Sequence, residues 1–243
     1  MVSKELFDRA LCAVEKVYKL SAKMHKETKS DRFIALNELA RKMRTALNAI
    51  YFIPYEQYDV MYPSVNLLYR GLITDLMTSL ILLLVTEEQF NDFLLIDNLK
   101  FVDSLRSALN TEIEVRKHFN PQNDKEYDKL KLQYQIDHYN ELKDCLDSIE
   151  GAPWILKKTS AIDINGQLYT GQIKEMYEIL KSSEELYCYA LLYKYYRLFS
   201  QSEHFSMKGR FMNHKQDIHD KYYNEVLDFI HTGEKLIYDK YKN

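Results

Sequence analysis

The sequence predicts an all-α protein, a single domain over residues 1–243 built as one bundle of about seven helices, and three observations carry that expectation. Turn-forming residues are scarce: 243 residues include 6 Gly and 4 Pro, where average usage near 7% and 5% would give roughly 17 and 12. Each chain reversal in a sandwich or barrel consumes such residues, so those folds and Gly-rich nucleotide-binding folds are excluded. Leu, a strong helix former, stands at 32 positions. Apolar residues also recur at spacings of three and four along most of the chain. With 46% hydrophobic and 28% charged residues, the composition is that of an ordinary globular chain and far from the disordered class.

The elements follow in order. Leu6, Ala10, Ala13, Val14, Val17 and Leu20 form one stripe of a helix over 4–26. Ser30 or Asp31 caps a second helix, with Phe33, Leu36, Leu39, Ala40, Met43 and Leu47 inward, ending before Pro54. Pro54 and Pro63 bracket the next connection, and Ser64 opens a third helix that is apolar nearly all round through Leu83, which places it mid-bundle. Thr86 with Gln89 is a capping-box pair for a fourth helix running to about His118, where Asn120-Pro121 stops it. A fifth, charged helix spans 123–150; its eight acids against four Lys read as a solvated outer face. Residues 151–171 hold the single Trp154 and Asn165-Gly166 and read as a loop or small hairpin. A sixth helix over about 170–204, with a break near Ser182 where Glu185 completes a fresh cap, and a seventh over 217–241 complete the chain.

Charge and cysteine usage then narrow the function classes. Lys plus Arg number 33 against 36 Asp plus Glu, a net charge of −3, so no protein-wide basic field drives nonspecific nucleic-acid binding; any such site is local, and sequence-specific DNA binding is not expected. Three cysteines at 12, 145 and 188 make neither a disulfide framework nor a zinc site. The N-terminus turns charged at once, and the greasiest stretch, Gly71 to Val85, is shorter than the ~20 residues a bilayer requires. A cytoplasmic protein without membrane spans is expected. No G-x-S-x-G, P-loop, H-E-x-x-H or G-x-G-x-x-G occurs, and no Glu-x-x-His of the di-iron bundles. No metal and no cofactor are expected.

The most informative segment runs from Tyr187 to His204. Arg197, Ser200 and His204 share one helical face, with Arg197 and His204 about 10 Å apart along the axis, and the stripe continues backward through Tyr193, Ala190 and Leu186. Apolar where it enters the bundle and polar where it leaves, this face reads as a pocket mouth. A Tyr-rich core helix, with hydroxyls at the rim and Arg197 paired to a carboxylate, fits the same pattern. Residues 194–215 carry a net charge of +4 with Tyr195, Tyr196, Phe199, Phe205 and Phe211 interleaved, as single-strand stacking platforms require. Arg70 and Asp75 stand in an otherwise apolar helix, where an unpaired charge is costly, so each demands a partner; either the pair is structural, or Arg70 turns toward the mouth that holds His204.

Arg197 followed after six residues by His204 in a late helix resembles the R-x6-H motif of HEPN domains, many of which are metal-independent ribonucleases. That resemblance implies a homodimer in which Arg197 clamps phosphate and His204 handles a proton of the 2′-hydroxyl or leaving group. Guanidinium and imidazole suit those roles. Leu198 stands where such nucleases usually carry a polar residue. Tyr69-Arg70-Gly71-Leu72, Trp154, then Tyr193, Tyr196, Ser200 and His204 also resemble, over about 64–210, a family of bacterial helical proteins with no settled biochemical role. That likeness implies ligand-binding positions at Arg70, Trp154, Tyr193 and Ser200. The reading is therefore a noncatalytic binding or regulatory module, with a HEPN-like endoribonuclease using Arg197 and His204 as the alternative; RNA and a second copy of the chain are the partners to consider.

Overall fold

The computed structural model describes residues 2–54, 58–94, 96, 111, 114, 115, 118, 161–200 and 216–242. The chain falls into two compact units, one of Met1–Val85 with Asp163–Asn243, the other of Thr86–Ile162. The expected fifth helix, Trp154 and His204 lie outside the described residues.

The first unit is built from α1 (Lys4–Thr28), α2 (Asp31–Tyr51), α3 (Tyr58–Ile81), a small hairpin of β1 (Ile162–Ile164) and β2 (Gln167–Tyr169), α4 (Ile173–Ser182), a 3-10 helix (Tyr187–Leu191), α5 (Leu192–Ser200) and α6 (Gln216–Lys242). The hairpin is the only sheet among the described residues, so the class is all-α. No helix among the described residues is long and apolar enough to cross a membrane.

Local chemistry sets most boundaries. The Ser3 side chain accepts a bond from the Leu6 N–H at 3.3 Å and caps α1. At its other end Lys29 takes the left-handed conformation and returns its N–H to the His25 carbonyl. Ser30 occupies the cap position of α2, but its side chain makes no capping bond. Asn165 and Gly166 both have positive φ, 55° and 76°, as a type I′ hairpin turn demands. The Gly166 N–H donates to Asp163 at 2.8 Å. Gln172 and Glu175 form a capping box at the start of α4, and Glu175 also accepts from the N–H and hydroxyl of Thr170.

Two expectations need correction. The third helix begins at Tyr58, not Ser64, and passes through Pro63. A proline inside a helix forfeits one hydrogen bond. That loss is small beside the burial of Val65, Tyr69, Leu72, Ile73, Leu76, Met77, Leu80 and Ile81, all fully sequestered, at about 1.5–3 kcal/mol per large side chain. The break near Ser182 is present, but Ser182 does not open the next helix. Its hydroxyl donates to the Ile179 carbonyl at 2.9 Å and accepts from Asn165 at 3.1 Å, tying the end of α4 to the hairpin. The chain then resumes as a 3-10 helix before α5.

As its pattern predicts, α3 is central, touching α2, α4, α5 and α6. Tyr69 stacks on Tyr223 with ring centroids 4.4 Å apart, and Phe199 lies 5.9 and 5.5 Å from those two rings. This triad joins α3, α5 and α6. The Tyr223 hydroxyl donates to buried Asn66 at 2.6 Å. From α2, buried Arg32 donates to the Leu82 carbonyl at 2.7 Å, placing a cation at the C-terminal end of α3.

In the second unit, the Thr86–Gln89 capping box forms as its spacing predicts, with reciprocal bonds of 3.1 and 3.2 Å. It opens a helical run over 87–94 that buries Phe90 and Phe93.

Candidate functional site

The orientation of α5 follows from its buried residues. Leu192, Tyr195 and Phe199 face the core, and Tyr195 donates a short hydrogen bond to Glu225 of α6. Burial first, and then this carboxylate, push the Tyr195 phenol well above its usual range. Two residues along a helix is about 200° of rotation, so Arg197, two from both Tyr195 and Phe199, is turned outward. It is exposed, and among the described residues it makes no ion pair or hydrogen bond.

Arg197 lines a groove of about 550 Å³ together with Tyr177 and Lys181 of α4, Tyr187, Ala190 and Leu191 of the 3-10 helix, and Tyr193, Lys194 and Leu198 of α5. The charged residues of this described lining are Lys181, Lys194 and Arg197, all cationic. Tyr187 is 61% exposed and Leu191 53% exposed, so an open aromatic ring and an open aliphatic side chain sit beside those charges.

From the groove lining runs a ladder of rings. Lys181 Nζ lies 5.6 Å from the centroid of Tyr177. Tyr177 stacks on Tyr193 at 5.1 Å, and Tyr193 on Tyr196 at 6.4 Å with planes 8° apart. The Arg70 guanidinium lies 5.0 Å over Tyr196. A cation at each end holds the stack by attraction to the ring faces. Lys194 similarly lies 5.0 Å from the Tyr195 centroid and 5.3 Å from that of Tyr222.

The structure thus brings Arg197 and Tyr193 to one groove and sets Arg70 against its tyrosine ladder. Ser200 is half-buried at the end of α5, where its hydroxyl donates to the Tyr196 carbonyl at 2.7 Å. The sequence reading missed Tyr177, Lys181 and Tyr187. A signal was available for the first two, since an aromatic and a lysine four apart share a helical face. Arg70 and Asp75 do not face each other: five residues is about 500° of rotation, or 140° around the helix. Arg70 turns to Tyr196, and Asp75 acts on Glu234 of α6.

A larger groove of about 750 Å³ lies between α1 and α6. Its walls mix Lys4, Arg9, Lys16 and Lys235 with Glu5, Asp8 and Asp239, so its field favours neither sign of ligand, whereas the charged residues lining the smaller groove are all cations, Lys181 also pairing with Glu178 at 4.0 Å. Among the described residues no group of three or more His, Cys, Asp or Glu could hold a metal ion. No protein-family model, curated protein or solved structure matches the chain.

Proposed function

We propose that the chain is a noncatalytic binding module that holds single-stranded RNA in the groove between α4 and α5. The observation that carries this reading is the pairing of Lys181, Lys194 and Arg197 with exposed Tyr187 along one groove whose described lining contains no carboxylate. Guanidinium binds phosphate bidentately, and an exposed ring offers a stacking face to any base, worth about 1–3 kcal/mol. Fluorescence anisotropy with a labelled single-stranded RNA tests it over a salt series. Arg197→Ala should weaken binding about tenfold and reduce the log–log salt slope by about 0.7, the loss of one phosphate contact, and Tyr187→Ala should weaken binding with little change in slope. Absence of binding at low salt, or equal affinity in all three proteins, would overturn the proposal.

The alternative reading, a HEPN-like metal-independent endoribonuclease acting as a homodimer, is favoured by the outward, uncommitted guanidinium of Arg197. It requires RNA cleavage that persists in EDTA and disappears in His204→Ala, and intact RNA after prolonged incubation with the wild-type protein sinks it.

A further inference from the structure

Lys181, Lys194 and Arg197 line the tyrosine groove, and each is held differently. Arg197 is turned outward with no ion pair or hydrogen bond among the described residues. Lys181 lies 5.6 Å from the Tyr177 centroid and 4.0 Å from Glu178. Lys194 stands in a corner made by two rings from different helices. Its Nζ lies 5.0 Å from the centroid of Tyr195, its neighbour on α5, and 5.3 Å from that of Tyr222 on α6. The two ring centroids are 5.8 Å apart and their planes are inclined at 56°, so one ammonium meets both ring faces. We propose that Tyr222, which lies outside the described groove lining, is a positioning residue: with Tyr195 it holds the Lys194 ammonium in place for a phosphate of the bound strand. This inference rests on the groove binding single-stranded RNA.

The corner confines the lysine without neutralising it. Both oxygens of Glu225, the carboxylate bonded to Tyr195, are already engaged: Oε2 accepts the short hydrogen bond from the Tyr195 hydroxyl, and Oε1 lies 3.8 Å from Lys221 Nζ. Among the described residues Lys194 itself makes no ion pair or hydrogen bond. Ring faces attract an ammonium but leave its charge intact, so the N–H groups turned away from the rings can still donate to a phosphate oxygen. A lysine already confined in this way loses less freedom when the phosphate arrives. One wall of the corner is core, since Tyr195 is buried and has Phe229 6.2 Å away on its flank. The other wall, Tyr222, is half-buried and open to substitution. Lys194 precedes Arg197 by three residues, about 4.5 Å along the axis and 60° around it. The confined ammonium and the outward guanidinium therefore stand side by side on α5.

Binding of labelled single-stranded RNA over a salt series tests the role in four variants. Lys194→Ala should weaken binding about tenfold and lower the log–log slope by about 0.7. Tyr222→Leu should weaken it about threefold with the slope unchanged, because the cation remains but is no longer held. In the Lys194→Ala background Tyr222→Leu should change nothing further, and Tyr222→Phe, which keeps a ring face, should bind as the wild type does. Equal weakening by Tyr222→Leu with and without Lys194, or a Tyr222→Phe as weak as Tyr222→Leu, would overturn the proposal.

A second readout is independent of RNA. In the free protein the ε-methylene protons of Lys194 should resonate upfield of an ordinary exposed lysine, under the ring currents of Tyr195 and Tyr222, and should return toward that position in Tyr222→Leu. A wild-type protein that shows the upfield shift but binds no RNA refutes the groove reading, and the phosphate role with it, while the two-ring hold stands. An unshifted Lys194 refutes the hold whatever the protein binds, and it decides the matter should Tyr222→Leu fail to fold.

Discussion

Two glycines in helices allow one substitution to be run with opposite outcomes. Gly71 lies on the exposed side of α3, and a Cβ there meets nothing within 4 Å. Gly71→Ala should therefore gain the full helix-propensity difference, about 1 kcal/mol. Gly233 earns the same propensity term but faces a wall. Its added Cβ would stand 2.9 Å from Leu76 Cδ1, 3.6 Å from Leu76 Cδ2 and 3.3 Å from Tyr189 Cε1, where carbon contacts are comfortable at about 3.5–4.0 Å. Leu76 is fully buried and Tyr189 nearly so, so relief requires a shift in packed core. Overpacking of this kind costs about 1–3 kcal/mol, which outweighs the propensity gain in all but its mildest case. Gly233→Ala should be destabilised by up to about 2 kcal/mol, a difference of about 1–3 kcal/mol between two identical substitutions. At this chain length each kcal/mol moves the melting midpoint by about 2–4 °C, within easy reach of calorimetry or urea titration. Leu76→Ala provides the internal control: it vacates the space the new methyl enters, so in that background Gly233→Ala should become neutral or favourable. If Gly71→Ala and Gly233→Ala stabilise equally, the close approach of α3 and α6 is wrong.

Three further outcomes are expected. Tyr223→Phe should cost about 1–2 kcal/mol in urea unfolding, because it strands the buried Asn66 acceptor now 2.6 Å from the tyrosine hydroxyl. Arg32→Ala should cost about 2–4 kcal/mol, since it removes a buried guanidinium bonded at 2.7 Å to the fully buried Leu82 and leaves the last turn of α3 without its cation. By contrast Arg197→Ala should stay within about 0.5 kcal/mol of wild type in the same assay, so that any effect on RNA binding reports the groove and not the fold.

What was legible in the sequence was what a few consecutive residues decide. The Thr86–Gln89 box, the Asn165-Gly166 turn and the middle of the α1 stripe are each settled by neighbours within four positions; the first two form as read, and α1 buries Ala10, Ala13, Val14 and Val17 as read, with Phe7 and Ser21 buried and Leu6 and Leu20 only half-buried. Pro63 was misread because the local rule was applied where tertiary burial outweighs one lost hydrogen bond. The face from Leu186 to Arg197 was read with a uniform helical period, whereas the chain winds as a 3-10 helix over Tyr187–Leu191. Three residues per turn there bring Tyr187 into line with Ala190 and hence into the groove.

The same division separates the two clusters of chemical interest. Arg197 and Tyr193 could be proposed from one helix, but Tyr177 and Lys181 belong to another, and Arg70 to a third that precedes α5 by more than a hundred residues; no spacing rule connects them. Glu234 was hidden for the opposite reason. It sits four after Ile230 and three before Ile237, a position whose phase is plainly interior, yet a charged residue type invites an exposed reading. Phase and residue type conflict at Glu234, as they do at buried Asp220 on the same helix. Burial wins at Glu234, and burial first and then Asp75 on the facing helix push its carboxyl up to about 8.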